Sequence, residues 1–123
     1  MKGVMKMNLL TKKELIDGNP MHIATISGDK PNISIAADVK VIEDNIILIA
    51  HNEMVNTPKN ILVNNNVVLT TFNENWEGLR IFGTADYYTE GEYFDKVNEL
   101  FKNENTTPKG AIKITVHSVE EVK

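Results

Sequence analysis

Thr57, Pro58, Lys59 and Asn60 follow a short apolar run, and together they could hold a phosphate. Thr57 reads as a helix N-cap. Pro58 reads as the first helical residue, where a missing N–H costs nothing. The amides of Lys59 and Asn60 would then point outward without intrahelical partners. Lys59 adds a cation, and the Thr57 hydroxyl adds a further donor. Free amides, a hydroxyl and an ammonium at one helix start suit an anion. The same residues also make an ordinary capped helix on a surface, because most helix starts bind only water.

Other chemistry-bearing residues are sparse. His22, His51 and His117 lie far apart and form no metal-ligand pattern, which leaves them as isolated strand histidines. No cysteine is present, so disulfides, thiol catalysis and thiolate metal sites are excluded. No Gly-rich phosphate loop or G-x-S-x-G elbow occurs, and no general base or nucleophile stands out. Trp76, the only tryptophan, falls in a polar loop. It suits a stacking surface, an interface anchor, or a loop residue folded back on the body. Glu120 and Glu121 read as a solvated tail.

These residues need elements to position them. The chain has 123 residues, the usual size of one domain with a single core, and we take residues 1–123 as one unit. The net charge of −4 and the lack of a basic face argue against nucleic acid as a partner. No apolar run approaches the ~18–20 residues needed to span a membrane. MKGVMKMNLL lacks a sustained apolar stretch and a cleavage site, so it reads as the mature start of a cytoplasmic chain.

Thr11 to Glu14 has capping-box spacing and opens a helix of about two turns that stops at Gly18. From Met21 the period becomes two. His22–Ser27 reads as a strand, followed by a turn at Gly28–Pro31. Asn32–Ile42 alternates as one longer strand, with Ile33, Ile35, Ala37, Val39 and Val41 on one face. Ile46–His51 is a continuous apolar run and reads as a buried strand. The helix after Pro58 is expected to bury Ile61 and Leu62 and to end at Asn64. Val67–Phe72 and Gly78–Tyr88 are further strands. Gly83 marks a bulge or a close backbone approach. Thr89 to Glu92 is a second capping box, before a helix with Phe94, Val97, Leu100 and Phe101 at helical spacing. Gly110–His117 is the last strand. The pattern predicts a mainly β fold: a small barrel of six strands with short helices on its rim.

Four segments in this order resemble the pyridoxamine 5′-phosphate oxidase-like, FMN-binding split-barrel family: IATISGDKPNISIAADVKV, IILIAHNEMVNTPKNI, GLRIFGTADYYTEGEYFDKV and KGAIKITVHSVEEV. The resemblance runs from Leu9 to Val122 and is strongest to the family's small single-domain FMN-binding proteins. It implies a six-stranded antiparallel split β-barrel that binds FMN, as a homodimer with the flavin in the subunit groove. The family's phosphate-binding loop and helix start match Asn56, Thr57 and Lys59. Many relatives carry Lys-Thr where this chain has Asn56-Thr57, so Lys59 or Lys40 is left to balance the phosphate charge. The ring-lining strand matches Ser34, Ile35, Ala36 and Ala37. The next strand end, Ala50, His51 and Asn52, is expected to offer backbone groups to the flavin edge. Trp76 and Thr107 fall in segments that approach the flavin from the neighbouring subunit.

The implied activity is that of an oxidoreductase or electron carrier with a small-molecule or protein redox partner. Efficient oxidation of pyridoxamine phosphate is not expected. In that enzyme C-terminal arginine and histidine residues complete a substrate phosphate site. Here the only arginine is Arg80, and Lys123 follows the acidic Glu120 and Glu121. Two alternatives stay open: a haem or deazaflavin in the same barrel, with His51 and His117 as candidate iron ligands, and a non-catalytic module whose flavin site has decayed.

Overall fold

The structure, a computed structural model, describes residues 9–122. Residues 1–8, most of the expected mature start, lie outside the described residues. A 3₁₀ turn at Leu9–Lys12 leads into α1 (Lys13–Ile16). Then come β1 (Met21–Ser27), β2 (Lys30–Ala36), β3 (Val39–Glu43), β4 (Ile46–His51) and α2 (Asn56–Val63). They are followed by β5 (Asn66–Phe72), β6 (Gly78–Tyr88), α3 (Glu92–Phe101) and β7 (Gly110–Val122). The fold is mainly β: a single 7-stranded sheet in the order β2-β1-β5-β6-β7-β4-β3, antiparallel throughout. β2 and β3 are consecutive in the chain yet form the two ends of that order. The barrel is therefore split rather than closed, and the split-barrel expectation holds. No helix among the described residues is long and apolar enough to cross a membrane.

The strand count is seven instead of six because the stretch Asn32–Ile42 breaks at Ala37 and Asp38. There the chain leaves the edge beside β1 and crosses to the edge beside β4. The break also divides the expected apolar face. Val39 and Val41 are buried as read, but Ile33 and Ile35 are 66% and 62% exposed, and Asn32, Ser34 and Ala36 turn inward. Alternation fixes which residues share a face of a strand, not which face meets the core.

β4 is buried at every position because both of its faces are covered. Ile47 and Ile49 enter the barrel core with Ile23, Leu69, Ile81 and Ile114. Leu48 and Ala50 face outward into a second cluster built with Val97 and Ala111 under α3. A strand covered on both sides must be apolar throughout, which is why its run is continuous. Gly83 sits at a register shift opposite β7, where a Cβ would run into the carbonyl oxygen of Thr115. That is the close approach its position in the strand implied.

Several local readings are corrected. α2 begins at Asn56 with Val55 as its N-cap, so Thr57 lies inside the first turn and caps nothing. α1 follows the 3₁₀ turn with Lys12, not Thr11, at its N-cap position, and α3 is preceded by Gly91 at φ 94° without a side-chain cap, so the second capping box does not form. Leu62, expected in the core, is exposed, and only Ile61 of that pair is buried. Glu120 and Glu121 form no tail, because β7 runs on past His117 and pairs them with Arg80 and Leu79 of β6.

A cleft at the split as the candidate cofactor site

The β2–β3 crossing, the end of β4 and the α3–β7 loop enclose a cleft of about 430 Å³. The crossing supplies Ile35, Ala36, Ala37 and Asp38. Ala50, Asn52, Glu53 and Met54 come from the end of β4 and the loop after it. Asn105, Thr106, Thr107 and Lys109 close the third side. This volume falls in the usual range for small-molecule sites. Three alanines in the wall let a flat ligand come close to the backbone.

The structure thus brings together Ile35, Ala36, Ala37, Ala50 and Asn52 of the sequence-derived residues, and Thr107, expected to approach from the neighbouring subunit, lines the cleft of its own chain. Asp38, Glu53, Met54, Asn105, Thr106 and Lys109 were missed. Asp38 left one signal: aspartate is depleted in strands, and it interrupts a run of β-formers. The loop residues left none, because their neighbours are distant in sequence.

Asn52 carries the main polar feature of the cleft. Its amide nitrogen donates to Asp38 Oδ2 at 2.9 Å. Its carbonyl oxygen Oδ1 is buried and has no hydrogen-bond partner among the described residues. An unpaired buried acceptor costs about 1–3 kcal/mol and calls for a reason.

His51 lies behind the cleft and is fully engaged. Nε2 is 2.7 Å from the Met54 carbonyl, which can only accept, so Nε2 carries the proton. Nδ1 then accepts from the Tyr87 hydroxyl at 2.6 Å. Burial pushes the Tyr87 phenol above its ordinary value, which keeps that hydroxyl a donor. The contact ties the loop after β4 to β6. A side chain at Gly110 would strike the Tyr87 ring, so the start of β7 passes under it only as glycine. With both ring nitrogens engaged, His51 has none left for an iron. His117 lies on the exposed face of β7, with Nε2 3.1 Å from Thr84 Oγ1.

Thr57 is fully buried, and its hydroxyl donates to Ser34 Oγ at 2.8 Å. Asn32 Nδ2 donates to Thr57 Oγ1 and Thr25 Oγ1 at 3.4 Å each, and Asn60 Nδ2 donates to Thr25 Oγ1 at 3.0 Å. This uncharged cluster pins α2 to β1 and β2. Asn56 and Lys59 remain exposed at the start of α2. Lys59 forms no salt bridge among the described residues, and neither does Lys40, which sits on β3 outside the cleft wall.

Trp76 is 70% exposed, at φ 62°, on the β5–β6 hairpin, with its ring 5.5 Å from that of Phe72. It is not folded back on the barrel, and it does not reach the cleft. The hairpin stands where Gly78 meets Val122, whereas the cleft lies where β7 begins. At the hairpin end a second cleft, of about 460 Å³, carries Glu14, Glu77 and Glu121 beside Lys12. It holds none of the sequence-derived residues, and its carboxylates disfavour an anionic ligand.

Comparison with known proteins agrees with this fold. The family profile described as pyridoxamine 5′-phosphate oxidase matches residues 11–123. An uncharacterized protein of Methanocaldococcus jannaschii is 39% identical over 113 residues, covering 88% of this chain and 76% of its own. Group A Streptococcus HupZ superposes with a TM-score of 0.82 at 24% identity, over 89% of this chain and 90% of its own. An FMN-binding protein from Syntrophomonas wolfei superposes at 0.73 and 20% identity, over 84% and 76% of the two chains. At those identities the two solved structures speak for the fold alone. The profile spans nearly all of the described residues, and by that match this chain belongs to the pyridoxamine 5′-phosphate oxidase family.

Proposed function

We propose that the chain is a flavoprotein that binds FMN in the cleft at the split and serves in the cytoplasm as an oxidoreductase or electron carrier. The observation that carries this reading is the cleft itself: small side chains from β2 and β4 beside an unpaired buried acceptor on Asn52. A flavin ring is flat, largely apolar, and bears an imide N–H at its edge. The name of the Syntrophomonas wolfei protein adds support.

The residues present fit the cofactor. Ile35, Ala36, Ala37 and Ala50 would take the ring, with Thr107 closing over it. The FMN phosphate carries about −1.5 to −2 charges. Asn56, Lys59 and the free amides at the start of α2 would meet it. The buried Thr57 hydroxyl and Ser34 hold that helix start in place behind the phosphate. When bound, FMN supplies the electron-transfer chemistry, and the chain's residues orient the ring and keep water from it.

The proposed assembly is a homodimer. Ile33, Ala24, Val68 and Phe82 are register neighbours across β2, β1, β5 and β6, and they form an apolar row on the outer face of the sheet. Two such faces together can bury the roughly 1,600 Å² of a stable interface. Trp76 then projects toward the partner subunit. Pyridoxamine phosphate is not an efficient substrate in this reading, and Arg80 is already paired with Glu120 at 3.0 Å.

The decisive experiment is cofactor analysis of the purified protein. Denatured protein should release FMN on chromatography, or the folded protein should take FMN up at micromolar concentration. Absence of both overturns the proposal. Sedimentation should give a dimer that Ile33→Glu converts to monomer, and a flavin-loaded wild-type monomer would remove the dimer from the reading. FMN-loaded protein should oxidise pyridoxamine phosphate with kcat/KM below roughly 10⁴ M⁻¹s⁻¹.

A further inference from the structure

Asp38 and Asn52 both line the cleft, and they come from different crossings of the chain. An ionised carboxylate only accepts hydrogen bonds, so the 2.9 Å contact assigns the Asn52 nitrogen to the Asp38 side. The carbonyl end is thereby left as the free end of the amide, and no described residue donates to it. The side-chain donors of the facing loop, on Asn105, Thr106, Thr107 and Lys109, line the same cleft but make no hydrogen bond to that oxygen. The amide nitrogen is thus anchored on a carboxylate, and the oxygen is a covered acceptor without a donor.

We infer that Asp38 and Asn52 form a specificity-determining pair that reads an imide N–H on the ring bound in the cleft. Asn52 Oδ1 accepts from the N–H between the two carbonyls of the flavin pyrimidine ring. Asp38 is the positioning residue that keeps the carbonyl end, not the amino end, turned to the ligand. Oδ1 is covered in the free protein, so binding pivots the amide about its Asp38 contact, with the carboxylate's two oxygens following the nitrogen. The pair accepts a flavin or a deazaflavin, both of which carry that N–H, and gives nothing to a porphyrin, which presents none at its edge. This inference rests on the flavin reading of the cleft.

The test compares FMN with FMN methylated at the imide nitrogen, by titration of flavin fluorescence. Wild-type protein should bind FMN at least about tenfold more tightly than the methylated analogue. Asn52→Ala should weaken FMN and bring the two affinities together. Asn52→Leu serves as a second apolar variant should the alanine variant fold poorly. Asp38→Asn, which can accept or donate, should shrink the preference for FMN over the methylated analogue. Equal wild-type affinities, or a preference that survives both Asn52 variants, would overturn the pair while leaving the flavin site standing. Failure of wild-type protein to bind either compound would remove the flavin reading and this inference with it.

Discussion

Two polar assemblies use the same two stretches of chain, residues 32–38 and 52–60, and end in opposite states. Under α2, Asn32, Ser34, Thr57 and Asn60 join Thr25 in a cluster whose donors find acceptors within the protein. At the cleft, Asp38 and Asn52 meet, and one acceptor stays unpaired. Both are built from small polar residues of these two stretches. A closed cluster spends its hydrogen bonds on holding the fold. An open one keeps a valence for something else. The difference points stability to one side of the loop after β4 and recognition to the other.

That contrast is breakable. The largest effect is expected at Thr57→Val, which keeps the shape but removes one donated and one accepted hydrogen bond in a fully buried place. Denaturant unfolding should show a loss of about 1–3 kcal/mol. A loss near zero would mean that the cluster is not a structural clamp. Next, Lys59→Ala should weaken FMN about three- to tenfold while leaving riboflavin unchanged, because in the proposed site the exposed ammonium serves only the phosphate. Thr57→Ser, which keeps the buried hydroxyl, should leave both affinities as they are. Equal losses of FMN and riboflavin in the lysine variant would place the phosphate elsewhere.

At Asn52→Ala the stability change should stay within about 1 kcal/mol, since the lost bond to Asp38 is offset by relief of the unpaired acceptor. A large destabilisation would make Asn52 a structural residue and erase the contrast. The smallest effect concerns pH. Burial holds the Tyr87 pKa above its unfolded value, so the folded state favours the neutral phenol. Its contribution is complete below the unfolded value of about 10 and is lost as pH rises through the folded one. Unfolding curves at alkaline pH should therefore fall more steeply for wild type than for Tyr87→Phe. Parallel curves would show that the His51–Tyr87 tie does not depend on that proton.

The sequence by itself determined most of the elements and their order, but not the break at Ala37 and Asp38 that makes seven strands of the expected six. Continuous apolar residues marked β4, and period-two alternation marked β1, β5 and β6. Together with the resemblance that the four segments carry, this led to a split barrel and to Ile35–Ala37, Ala50 and Asn52, which the fold gathers at one cleft. Such patterns are local, written into side-chain spacing by the geometry of the strand. Tertiary structure alone decided the rest. Whether Ile33 or Ser34 faces inward depends on what α2 lays against β2, because alternation has no sign until a core is supplied. Whether Thr57 caps a helix or ties down a strand depends on Ser34, 23 residues away. The Asp38–Asn52 pair exists only because the chain crosses between sheet edges at Ala37 and returns 14 residues later at the end of β4. A hydrogen bond left unmade is a property of everything around an atom, and no spacing of residue types records it.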